Sequence, residues 1–292
     1  MTKAERTSLI AIPIVLLVAA GVAWAGSQGS VDALGMPLYA VAFALAFIVQ
    51  WIVFVPSFLQ STEKFFDLTG SLTYLTVTAL AVLLSPVRDA RSILIWILVS
   101  VWAVRLGTFL FARIHRDGKD GRFDELKTSF LRFLLTWTLQ GLWVSLTLAA
   151  ALAAITTQNR ADLGIIGIVG ILVWLVGFGI EVLADDQKRR WREDDRNKGK
   201  FINTGLWAWS RHPNYFGEIL LWIGILIIAA PVLQGWQWIA LISPIFVTVL
   251  LTRISGVPML EKRADEKWGG QADYEAYKAK TPVLLMRPPT KG

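Results

Sequence analysis

Two groups of residues in this chain have types and spacings that could do chemistry. The first is SRHPNYFGE, residues 210–218, which runs directly into the apolar stretch ILLWIGILIIAA. Pro213 suits the first position of a helix, with Ser210 or His212 as its cap. A helix start offers free backbone N–H groups and a positive dipole end. Arg211 adds full charge, so the stretch predicts an anion site. Asn214, Tyr215 and Glu218 fall in the first turns, and Tyr215, Glu218 and Trp222 share a face. His212 alone would be an interfacial histidine, a helix cap or the neighbour of a phosphate. Upstream, ADDQKRRWRE places Asp185, Lys188 and Arg192 on one helical face, with Gln187 beside them. A carboxylate with two cations suits a ribose or a phosphate.

The second group is EKFFDLTGSLTYL. Glu63 and Asp67 stand one helical turn apart, and Tyr74 follows two turns after Asp67 on the same face. Such residues can hold or relay a proton. Arg105 lies inside an apolar run and calls for a carboxylate partner. Glu181 and Asp185 form another one-turn pair. Ionisable residues in apolar spans mark function, or else form ion pairs between helices. Two histidines and no cysteine argue against a metal site, and the missing cysteines exclude disulfides and thiolate nucleophiles.

These groups must be positioned by membrane helices. The chain has 292 residues, 54% of them hydrophobic, and a mean hydropathy of +0.52. Apolar runs of about 20 residues recur. The reading is an all-α polytopic membrane protein with spans near 8–25, 37–59, 65–85, 92–113, 131–155, 163–184, 214–231 and 236–254. The last two are short and joined by a tight turn at Pro231–Gly235. The first run ends in AWAG, which resembles a signal-peptide cleavage site, although the run is long enough to span. With the N-terminus in the cytoplasm, 25 of the 29 lysines and arginines fall on the cytoplasmic side and three (Arg88, Arg91, Arg160) on the other. This is the positive-inside pattern. The basic segments 113–132, 185–212 and the tail after 253 point to anionic membrane lipids and an anionic ligand, not to nucleic acid. The tail EKRADEKWGGQADYEAYKAK predicts two short surface helices broken at Gly-Gly. No inverted repeat or broken-helix pair argues for a transporter.

DxQK, then TGLWAWSRHPNYFGE, an apolar hairpin and YEAYKAKTP resemble the C-terminal half of the steroid 5-alpha-reductase-like membrane reductases, over residues 181–287. The chain is most similar to a bacterial family sharing that domain, which places it in a bacterial inner membrane. The resemblance implies a seven-helix core with one extra N-terminal helix. Residues 1–36 would be the extra helix, 37–160 the substrate side and 161–292 the cofactor half. It also implies NADPH on the cytoplasmic side, hydride delivery to an alkene conjugated to a carbonyl, and a lipophilic substrate. Asp185, Arg192, Asn214, Tyr215 and Glu218 match the family's cofactor site, and Tyr274 and Tyr277 match the tail that caps it. Lys188, Arg211 and His212 join that set on local chemistry.

The chain departs from the family in two places. Glu181 stands where the family has asparagine. Trp102 stands where a tyrosine donates to the steroid carbonyl, and an indole is a poor proton source. The acidic partner from the early helix is Glu63 or Asp67. The expected catalytic set is therefore Asp67, Tyr74, Trp102 and Glu63. Isoprenylcysteine carboxyl methyltransferases carry a similar RHPxYxGE block, so an S-adenosylmethionine-dependent methyltransferase of lipids is the second reading. A lipid-binding protein without catalysis is the third. Cations beside DxQK separate the first two, because a 2′-phosphate needs them and a sulfonium does not.

Overall fold

A computed structural model describes residues 1–117 and 121–289, without the side chains of residues 111–117 and 122. Eight segments among these residues are long and apolar enough to cross a membrane. The chain is an all-α polytopic integral membrane protein. Its contacts divide it into two compact units, Met1–Gly167 with Ile228–Ser243, and Ile168–Ile227 with Pro244–Gly292.

The first unit opens with α1 (Lys3–Gly26). It starts on a capping box, in which Glu5 N donates to Thr2 Oγ1 and Thr2 N to the Glu5 carboxylate. A two-residue antiparallel hairpin follows, β1 (Asp32–Ala33) and β2 (Met36–Pro37), turning through Leu34 and Gly35 at positive φ. Helices α2 (Leu38–Leu59), α3 (Phe66–Leu84), α4 (Ala90–Asp117) and α5 (Phe130–Thr156) complete the bundle. Every residue of α5 from Val144 to Thr156 is buried, which makes α5 the central helix. Phe54, Phe123, Phe133 and Trp137 form an aromatic core beside it.

Arg91, expected in an outside loop, is instead fully buried in the first turn of α4. It donates to the carbonyl oxygens of Asp162 (2.7 Å), Ala161 (3.3 Å) and Ile228. Arg160 pairs with Asp89 at 3.4 Å. These cations satisfy backbone carbonyls and a loop carboxylate, so part of the charge pattern is structural.

The second unit is built around α6 (Gly164–Glu193) and α7 (Pro213–Ala229). Their backbones touch. A Cβ on Gly177 would lie 2.5 Å from Leu221 N, one on Gly217 2.6 Å from Glu181 N, and one on Gly224 2.7 Å from Trp174 N. Without water to drive association, small residues let membrane helices approach this closely. Because α6 runs on past its apolar part to Glu193, its polar end is held by the same contact.

The eighth crossing begins as a 3-10 turn (Gly235–Leu241). It continues as α8 (Ile242–Val249) and ends in a π turn (Leu250–Ile254). The tail forms α9 (Val257–Trp268) and α10 (Ala272–Lys280), broken at Gly269–Gly270 as the sequence predicts.

Candidate functional site

Pro213 is the first residue of α7, and the His212 carbonyl accepts the first helical bond, from Phe216 N at 3.2 Å. Ser210 Oγ accepts from His212 N at 3.1 Å and donates to the Leu284 carbonyl at 2.9 Å. Arg211 N donates to Pro282 O, and Arg287 N to Trp209 O. The segment after α10 therefore lies along residues 209–211 and ties down the head of α7.

Beside this head is a cavity of about 340 Å³, near the lower limit for small-molecule sites. Six cations line it: Lys188, Arg192, Lys200, Arg211, Arg263 and Lys267. Among the described residues one carboxylate lines it, Glu261 of α9. The remaining wall is largely aromatic. Phe201 packs against Trp268, Tyr274 and Tyr277 at centroid distances of 5.9, 5.2 and 5.3 Å.

Trp207 is held from two sides. Its Nε1 donates to Ala184 O at 2.9 Å, and its carbonyl accepts from Tyr277 Oη at 2.7 Å. Lys188 Nζ lies 4.2 Å from the Trp207 ring centroid, a cation–π contact. Burial pushes the Tyr277 phenol above its ordinary value, so its proton stays in this bond. Burial, then the Asp265 carboxylate, does the same for Tyr274, whose Oη donates to Asp265 at 2.8 Å.

Glu261 divides its carboxylate. Oε1 lies 2.8 Å from His212 Nε2, and Oε2 lies 2.7 Å from Arg211 Nη1. The Arg211 contact is an ion pair whose angles leave Nε and Nη1 without a well-aligned acceptor. Arg211 is thus largely neutralised by Glu261, and the sequence expectation that it lends its full charge to a ligand needs that adjustment. Burial holds His212 below the ordinary imidazole value, against the opposing pull of Glu261.

Of the residues expected at a cofactor site, Lys188, Arg192, Arg211, His212, Tyr274 and Tyr277 line the cavity. Asp185, Asn214, Tyr215 and Glu218 are half-buried on α6 and α7 and do not line it. The Tyr215 ring stacks beside His212 at 5.6 Å and leaves no room for a Cβ on Gly256. Gln187 of the DxQK motif is structural. Its Oε1 accepts from Leu206 N at 2.9 Å, and its side chain fills the space a Cβ on Gly205 would need.

Sequence reasoning did not single out Glu261, Trp207, Phe201 or Trp268. Trp207 lies inside the TGLWAWSR motif, and an aromatic residue within a basic loop was the available signal. For Glu261 no such signal stood out, because its short helix carries three acidic and three basic residues.

The expected catalytic residues lie in the first unit. Tyr74 of α3 and Trp102 of α4 are buried edge to face, with ring centroids 5.0 Å apart. Asp67 is half-buried in the first turn of α3. Glu63 is buried, and Lys127 Nζ donates to its Oε2 at 2.8 Å. That bond raises the Lys127 pKa and makes the pair an ammonium and a carboxylate. The Arg105 guanidinium lies over Phe109, 5.5 Å from the ring centroid.

A helical membrane bundle with a basic, aromatic-walled cavity is the class that fold and site define. Residues 53–281 match the family described as Protein of unknown function (DUF1295), and the chain belongs to that family. No curated protein and no solved structure matches it.

Proposed function

We propose that this protein is a membrane-embedded, NADPH-dependent reductase of a carbon–carbon double bond in a lipophilic substrate. The observation that carries the reading is the cavity's surplus of cations over its single carboxylate, set among aromatic walls. Phosphates favour such charge, and flat rings favour such walls. The resemblance of residues 181–287 to steroid 5-alpha-reductase-like enzymes supports the same cofactor. The one-sided distribution of lysine and arginine supports a cytoplasmic position for these segments.

The residues present suit the phosphorylated half of a dinucleotide. Lys188, Arg192, Lys200, Arg263 and Lys267 would hold phosphates, while Trp207 and Phe201 offer stacking faces. When bound, NADPH supplies a hydride equivalent. Other steps fall to the chain. In this reading Asp67, Tyr74, Trp102 and Glu63 are the candidates to polarise the substrate carbonyl and provide a proton. Glu63, ionised beside Lys127, can only accept hydrogen bonds. Trp102 can donate one without releasing its proton. Asp67 and Tyr74 are left to deliver a proton, with Tyr74 oriented by the Trp102 ring. Apolar helices keep water from the reacting carbons.

Calorimetry and thermal shift with NADPH and with S-adenosylmethionine test the reading, because a ligand that binds only the native state raises its stability. NADPH is expected to stabilise the detergent-solubilised protein and S-adenosylmethionine to leave it unchanged. The reverse result would establish a methyltransferase instead. No shift with either would favour a lipid-binding protein without catalysis.

A further inference from the structure

His212 has two ring nitrogens in different surroundings. Nε2 meets Glu261 Oε1 at 2.8 Å. Glu261 also faces the Arg211 guanidinium, is a carboxylate there, and can only accept. Nε2 must therefore carry the hydrogen. Burial favours the neutral ring, which leaves Nδ1 as a bare lone pair. The side chain is 5% exposed, lines the cavity, and its Nδ1 is buried without a hydrogen-bond partner among the described residues. A buried acceptor left unmatched is costly, so its conspicuous complement is a donor on a ligand. The surrounding cations offer nothing that discriminates among phosphates. A bare nitrogen beside them discriminates by hydroxyl.

We propose that His212 is the hydroxyl-reading residue of this cavity. Glu261 locks the imidazole with its hydrogen on Nε2, and Nδ1 accepts from a sugar hydroxyl of a ligand whose phosphates lie on the neighbouring lysines and arginines. Glu261 is then a positioning residue that sets the tautomer, and it keeps Arg211 from competing for the same phosphates. The inference rests on a phosphorylated nucleotide occupying this cavity, and it extends that reading to how the sugar is told from a bare polyphosphate.

The chain has only two histidines, His115 and His212, so ¹⁵N-histidine labelling of the full-length protein gives two imidazoles, and a His115→Asn variant assigns them. At pH 7, His212 is expected to show a pyrrole-type Nε2 and a pyridine-type Nδ1. Glu261→Gln keeps an acceptor and should keep this tautomer, whereas Glu261→Leu should give a mixture. Adenosine 2′,5′-bisphosphate should shift the Nδ1 resonance, and inorganic pyrophosphate should leave it in place. His212→Phe should weaken the bisphosphate about tenfold and pyrophosphate hardly at all.

An imidazolium, an Nδ1–H tautomer, equal shifts with both ligands, or no response to either at millimolar concentration would each overturn the proposal. The reductase reading is judged separately, by calorimetry with NADPH. A His212 that responds to the bisphosphate while NADPH fails to bind would sink that reading and leave this one standing.

Discussion

The α3–α4–α5 region of the first unit and the basic cavity of the second both bury polar side chains, but they balance them differently. In the first unit several buried polar groups are matched within the chain. Glu63 has Lys127, Gln50 Nε2 donates to Thr73 Oγ1 at 2.7 Å, and Gln140 Nε2 donates to Phe66 O at 3.0 Å. In the cavity, cations outnumber carboxylates six to one. Matched groups secure a fold. A surplus of one sign on a cavity wall favours an anion there. The contrast separates structural polarity from polarity available to a ligand, although both are built from the same residue types.

That contrast can be broken in order of expected effect. Lys127→Met removes an ammonium from beside the buried Glu63 carboxylate. Lys127 is about a fifth exposed, so the loss belongs at the lower end for a broken buried pair, about 3 kcal/mol. Thermal unfolding in detergent should show it, with NADPH affinity unchanged in the folded fraction. An unaltered melting temperature would place Glu63 among the available groups instead.

Gly217→Ala pushes a methyl into the α6–α7 backbone contact, where no flexible side chain can yield. About 2 kcal/mol of stability should be lost. Because Lys188 and His212 lie on the two sides of that contact, ligand affinity should fall as well.

Arg192→Ala removes a cation from the cavity wall and should reduce NADPH affinity about tenfold on titration calorimetry. Raising the salt concentration should weaken the wild-type complex and narrow its difference from the variant.

The smallest effect is on pH. Burial lowers the folded His212 pKa below its unfolded value of about 6.5. Its contribution is therefore fully present above that value and is lost as pH falls towards the lowered one. Wild-type stability should carry an acid-side decline that His212→Asn lacks. Parallel profiles for the two proteins would show that the ring is not held neutral.

Much of the fold was legible because its signals are local. Each span is an apolar run of bilayer length, Pro213 marks a helix start within its own turn, and Gly269–Gly270 interrupts a polar helix. The face shared by Lys188 and Arg192 follows from helical spacing alone. The close α6–α7 approach was half legible. Gly170 and Gly177, and likewise Gly217 and Gly224, stand seven residues apart, a repeat that marks a packing stripe but does not name its partner.

The balance of charge at the site was not legible. Glu261 lies 50 residues after Arg211, and no periodicity joins them. Only the folded chain brings its carboxylate between Arg211 and His212, and thereby decides which cation is neutralised and which imidazole nitrogen is left bare. The aromatic wall likewise assembles Phe201, Trp207, Trp268 and Tyr277 from separate segments. Composition and spacing establish that this protein crosses the membrane and which helix faces are polar. Pairing between distant segments, set by helix contact and by the docked tail, decides which of those polar groups remain available to a ligand.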